Sequence, residues 1–221
     1  MEDKAVNLGT QLNNAIMRAE AIAEGQRIIQ TGDDVNHSDI DDDEGWSPLL
    51  YASVFGEIQA VRLLLRHGAN VDKTLESGAT PLYLASQNGH TDVAELLLQH
   101  GANVNSARHD TGATHIIVAC DYGHLDTVKW LVEYGASCQI YLKDCGSGPL
   151  LLAAQNGHTS VVQFLLSHGI AVNEANHHGT TAFIVACSNG HCPTARVLLM
   201  HGANVDAAGT DDATRYVSEN K

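Results

Sequence analysis

Long apolar runs are missing from this chain. No segment of 18 or more apolar residues occurs, and the opening Met1-Glu2-Asp3-Lys4-Ala5-Val6 is not a basic start followed by an apolar run. Neither a membrane span nor a secretory signal is indicated, so a cytoplasmic location is expected, with the nucleus as the other setting. Cysteine is sparse. Cys120, Cys138, Cys145, Cys187 and Cys192 are odd in number and lack C-x-x-C spacing, which argues against a disulfide framework and fits reduced thiols. Basic residues are scarce as well, 12 against 26 acids, for a formal charge of -14. That field repels phosphate backbones and anionic lipid, so nucleic acid and membrane are poor partners and a basic protein surface is a better one. Patterns of the GxxxxGK[ST], HExxH and GxSxG types are also lacking. The carboxylates cluster on loops with no sign of a closed cavity, so no catalytic residue, metal ligand or cofactor is assigned.

What the chain does have is self-similarity. The segment His67-Gly68-Ala69-Asn70-Val71 returns at Gly101 and Gly202, with variants at Gly135 and Gly169, so that successive copies are almost evenly spaced. Two further glycine series, Gly56, Gly89, Gly123, Gly157, Gly190 and Gly45, Gly78, Gly112, Gly146, Gly179, keep the same intervals. In Gly78-Ala79-Thr80-Pro81-Leu82 the glycine permits a turn, Thr80 can cap a helix, and Pro81 suits a first helical position, where its missing N–H would be unpaired anyway. Gly89 ends that helix in a positive-φ turn. The spacing of Val93, Ala94, Leu96, Leu97 and Leu98 predicts a second helix from about Thr91 to His100, which Gly101 stops. A short turn-rich stretch then leads to the next unit.

These motifs resemble the ankyrin repeat family, whose unit of about 33 residues is a turn, a T-P-L-H-x-A helix and a second helix. The resemblance implies an all-α repeat solenoid of stacked helix–turn–helix units with β-hairpin-like loops. Five full repeats are expected over 45–211, bounded as 45–77, 78–111, 112–145, 146–178 and 179–211. Residues 1–44 form a degenerate capping repeat with a helix around 11–21 and an acidic loop, and 212–221 open an incomplete further repeat. That ending suggests a piece of a longer protein or a frayed end. Departures matter too. The family histidine after T-P-L, which ties repeats together, is replaced by Leu50, Tyr83, Ile117, Leu151 and Ile184, so apolar fit is expected in place of an inter-repeat polar network. His115-Ile116 stands where other repeats have Pro-Leu or Ala-Phe, so a poorly defined, soft helix start is expected there.

Eight of the 13 histidines recur by repeat. His67, His100, His168 and His201 precede the glycine that ends a second helix, with Tyr134 in that place in the third repeat. His90, His124, His158 and His191 follow the glycine that ends a first helix. Equivalent positions on neighbouring helices lie about 8–10 Å apart, whereas zinc ligands sharing an ion lie within about 3.5 Å of each other, so one histidine per rung makes a poor cage. The first class reads as a polar finish for the helix C-terminus. His177-His178 read as a loop-tip contact. Cys120 and Cys187 take small, buried packing positions, and Cys138 with Cys145 is a weak two-thiol site lacking further ligands.

The resemblance implies a non-enzymatic module, expected to be a monomer, that binds another protein through a concave groove and loop tips. Residues that vary between repeats are the candidates: Asp43, Glu44, Trp46, Val54 and Phe55 in the first, Asp110, Asp121 and Tyr122 in the third. Trp46, Val54 and Phe55 are expected to face solvent as a hot spot; the alternative is that the N-terminal cap folds over them. The neighbouring acids Asp39, Asp41, Asp42, Asp43 and Glu44 favour a partner with Lys or Arg around an apolar anchor. Two other readings stand: an adaptor or effector fragment that recruits a cellular complex, and a substrate for asparagine hydroxylation at Asn36, Asn105 and Asn173, which sit in the Val-Asn context that the resemblance implies.

Overall fold

A computed structural model describes residues 23, 27, 34–36 and 45–205. The expected helix near 11–21, most of the acidic loop with Asp43 and Glu44, and the repeat opening at 212–221 lie outside the described residues. The described helices are α1 Pro48–Val54, α2 Ile58–Arg66, α3 Pro81–Asn88, α4 Thr91–Gln99, α5 His115–Asp121, α6 Leu125–Glu133, α7 Pro149–Gln155, α8 Thr159–Ser167, α9 Ala182–Ser188 and α10 Cys192–Met200. No strand occurs among the described residues beyond two isolated antiparallel bridges, Ala107 with Thr114 and Ala175 with Thr181. The chain divides into two compact units, 1–103 and 104–221. The first contains α1–α4 and the second α5–α10.

Each repeat is punctuated as its residues dictate. Thr80 Oγ1 accepts a bond from the Tyr83 N–H at 3.1 Å and Pro81 opens α3. Thr181 caps α9 in the same manner through Ile184 N–H. Gly89, with φ of 71°, closes α3 in the left-handed region, where a side chain would be strained. Within each unit the first helices pack on one another and so do the second helices, giving two layers. Ala85 in the first unit and Ala119, Ala153 and Ala186 in the second are fully inaccessible, which lets these helices close up. Leu82 and Leu97 in the first unit, and Leu131, Leu165 and Leu198 in the second, fill the space between layers and are themselves fully inaccessible. Each such leucine contributes about 1.5–3 kcal/mol by burial.

Two expectations fail here. The third repeat has a defined start even though Thr114 makes no side-chain cap bond: α5 begins at His115, the position of Pro81 and Pro149, and the His115 ring is fully buried with Nδ1 2.9 Å from the Val104 carbonyl. A side chain bonded to a carbonyl of the preceding loop fixes the helix start in place of the missing proline. Nor is the inter-repeat polar network absent. Leu50 and Tyr83, and in the second unit Ile117, Leu151 and Ile184, are buried as apolar packing, but a different histidine makes the ties. His90 Nε2 lies 3.0 Å from the Val54 carbonyl, His158 Nε2 2.9 Å from that of Asp121, and His191 Nε2 2.9 Å from that of Gln155. Asn156 and Asn189 Nδ2 donate to the same two carbonyls, Asp121 and Gln155, at 3.0 and 2.8 Å.

A second set of ties joins the loops. The Asn36 side-chain oxygen accepts from Asn70 N–H, Asp72 from Asn103, Asn105 from Ser137 and Asn173 from Asn204, at 2.6, 3.0, 3.0 and 2.7 Å. Gln139 holds the equivalent place after the third repeat. Near it the Tyr141 hydroxyl donates to the Glu174 carboxylate of the following loop. That hydrogen bond, aided by burial, pushes the phenol up to about 12.

Candidate functional site

The last two residues before each inter-helix glycine end the first helix, and here the repeats differ. In the first unit these are Val54-Phe55 and Gln87-Asn88. Val54 and Phe55 are half-buried, as is Trp46, whose ring stacks on Tyr51 with centroids 4.7 Å apart. They are therefore less open than the sequence suggested, because the indole lies along α1 instead of projecting from the loop. Asn88 turns back onto its own helix, Nδ2 donating to the Leu84 carbonyl at 2.8 Å.

In the second unit the pairs are Asp121-Tyr122, Gln155-Asn156 and Ser188-Asn189. Tyr122 is 52 % exposed, its ring parallel to that of His124 at a centroid distance of 6.2 Å. Asp121 is half-buried; burial raises its carboxyl pKa, opposed by the hydrogen bond from Asn156 Nδ2 at 2.8 Å and by nearby His158. Asp121 is thus part of the seam to the next repeat, while Tyr122 beside it is presented outward. Asp110 is exposed, but its charge is engaged: Arg108 reaches both carboxylate oxygens, at 3.1 and 2.6 Å. With Thr111 N–H also donating, the carboxyl is held at about 2. The structure thus brings Asp121 and Tyr122 together, gives Asp110 an internal partner, and keeps Trp46, Val54 and Phe55 in the first unit.

The three asparagines in Val-Asn context are all members of the loop ties. Besides accepting from the next repeat, Asn36, Asn105 and Asn173 donate through Nδ2 to the carbonyls of Gly68, Gly135 and Gly202, at 3.3, 3.3 and 3.1 Å. An enzyme acting on any of them meets a side chain bonded at both ends. The histidines at second-helix ends do finish those helices: Nδ1 of His67, His100, His168 and His201 lies 2.8–2.9 Å from the carbonyl four residues back. His177 packs its ring over Gly146, a scaffold contact that its place beside His178 did not reveal. All five cysteines are free. Burial raises the Cys120 thiol well above its ordinary value and raises Cys138 and Cys187 also, which suits packing more than reactivity. Among the described residues no group of three or more His, Cys, Asp or Glu could hold a metal ion, and no helix is long and apolar enough to cross a membrane.

Paired short helices recurring at the near-constant glycine interval, tied rung to rung by side chain to main chain bonds, define a helical-repeat solenoid. A family model for ankyrin repeats matches in three copies, over residues 12–108, 70–144 and 116–208, and the chain belongs to that family. No curated protein matches the sequence. Ankyrin repeats are generally protein–protein interaction modules and typically non-enzymatic.

Proposed function

We propose that this chain binds a protein partner through its first-helix ends and loop tips, with Tyr122 as the principal anchor. One observation carries the reading: Tyr122 is 52 % exposed at a first-helix end, and no other large apolar side chain at such an end is as open among the described residues. A tyrosine offers a rigid apolar face and a polar tip, the chemistry of binding hot spots. Trp46, Val54 and Phe55 supply a smaller apolar contribution in the first unit. The partner is expected to carry a basic surface around an apolar contact. Eleven acids and three bases fall in residues 1–44, which places -8 of the -14 charge there, and such a field speeds encounter with a cationic protein. The free cysteines fit a reducing compartment, cytoplasm or nucleus.

The test is affinity capture with the intact chain, followed by titration of the captured partner against wild type, Tyr122→Ala and Phe55→Ala. Loss of about 2 kcal/mol, roughly 30-fold in Kd, is expected for Tyr122→Ala, with a smaller loss for Phe55→Ala. A partner that binds Tyr122→Ala as tightly as wild type removes the proposed anchor.

A further inference from the structure

Among the described residues, four of the five second helices end on a histidine whose Nδ1 bonds the carbonyl four residues back. The third repeat departs from this. Tyr134 stands there, and a phenol carries its donor at the far end of the ring, away from its own helix end. The ring instead tilts against Trp130, centroids 6.0 Å apart at 45°, and is 38 % exposed. One repeat on, Phe164 and His168 repeat the arrangement, their rings 4.0 Å apart at 38°. Trp130 and Phe164 occupy equivalent positions on α6 and α8, which pack side by side. At that position Val197 in α10 is only 9 % exposed, whereas the two larger rings are half-buried and extend outward. Two ring pairs therefore stand on two adjacent second helices.

The polar groups around them fix the sign of the surface. Lys129 is held by Asp126, Nζ to Oδ1 at 2.9 Å, so that pair is neutral. Gln163 and Ser167 are exposed and uncharged, Glu133 is exposed beside Tyr134, and the exposed cation Arg196 stands one helix further on, at the Gln163 position of α10. Partly exposed rings with an exposed carboxylate next in sequence suit a flat cation more than an apolar side chain alone.

We infer that Trp130, Tyr134, Phe164 and His168 form a second protein-binding surface, which takes an arginine-bearing segment of the partner with its guanidinium on the rings and Glu133 as the acceptor. The inference rests on the reading of the chain as a protein-binding module but shares no residue with the surface at Tyr122. Arginine is favoured over lysine because its planar group stacks while its N–H edge stays free for the carboxylate.

The test follows the Trp130 indole N–H by NMR, its signal assigned by its loss in Trp130→Leu. Short synthetic peptides of arginine and glycine, lysine and glycine, or glutamate and glycine are titrated in. The indole signal is expected to shift with the arginine peptide, less with lysine and not with glutamate. Tyr134→His restores the ending of the other repeats and should fold; it is expected to weaken the arginine interaction about three- to tenfold, while Tyr122→Ala leaves it unchanged. Equal shifts with all three peptides overturn the site. So does undiminished affinity in Tyr134→His of intact circular dichroism, or loss with Tyr122→Ala alone. A shift that follows protein concentration without peptide would make the occupant a second copy and overturn it too.

Discussion

Ser53 and Ser86 hold their hydroxyls in the buried layer between helices, fully inaccessible and without a hydrogen-bond partner. The equivalent residue in the fourth repeat is Ala154, also fully buried. Leaving a hydroxyl unsatisfied costs free energy that a methyl group does not, so Ser86→Ala is expected to raise stability by about 1 kcal/mol, read from the urea midpoint at unchanged slope. Asp110 makes a different prediction at the same scale. Its carboxyl is lowered from 3.8 to about 2, first by the hydrogen bond from Arg108. A depressed carboxylate contributes stability that is present above its unfolded value and lost as pH falls through the folded one. The Arg108–Asp110 contribution is therefore full above about pH 4 and gone near pH 2. Arg108→Ala should move the Asp110 titration, followed by NMR, back toward 3.8; a titration that stays near 2 would mean that the main-chain bond from Thr111 holds it alone.

The turn between paired helices depends on two residues acting together. Gly157 has φ of 73°, and a Cβ placed on it would stand 2.5 Å from the His191 ring, so the glycine serves both conformation and close approach. Gly123, with φ of 78°, stands likewise against His158. Gly123→Ala should cost more than about 1 kcal/mol from backbone strain alone, and it also displaces the ring that reaches the Asp121 carbonyl. His158→Ala should cost about 1 kcal/mol, since Asn156 still bonds that carbonyl. Thermal melting of both variants checks the order. The sequence showed the helices well because Thr80, Pro81, Gly89 and Gly101 act locally, each setting the backbone where it stands. It showed the ties poorly. The histidines were periodic, but the acceptor of His158 is a main-chain carbonyl in the preceding repeat, and a carbonyl has no side-chain signature. The half-burial of Trp46 was likewise hidden, since which way an indole lies at a helix start depends on Tyr51 and not on residue type. Tyr122 was legible for the opposite reason, being set off from the polar Gln-Asn and Ser-Asn pairs of its counterparts.

For the molecule as a whole, the charge of -14 is unevenly spread, with -8 on residues 1–44. Screening shortens from about 30 Å at 0.01 M salt to about 8 Å at 0.15 M, so the association rate with a cationic partner should fall at least several-fold across that range while dissociation changes little. Stopped-flow measurement at the two salt concentrations checks this; an equal effect on dissociation would place the acids inside the contact. The ties between repeats also have a polarity. In the histidine ties and in the loop ties to Asn36, Asp72, Asn105 and Asn173, the ring or main-chain N–H belongs to the later repeat and its acceptor to the earlier one, as with His90 and Val54, His191 and Gln155, or Ser137 and Asn105. During synthesis each acceptor leaves the ribosome a full repeat ahead of its donor. Within each unit, the acceptors of these ties are thus already synthesised when the donors that meet them emerge.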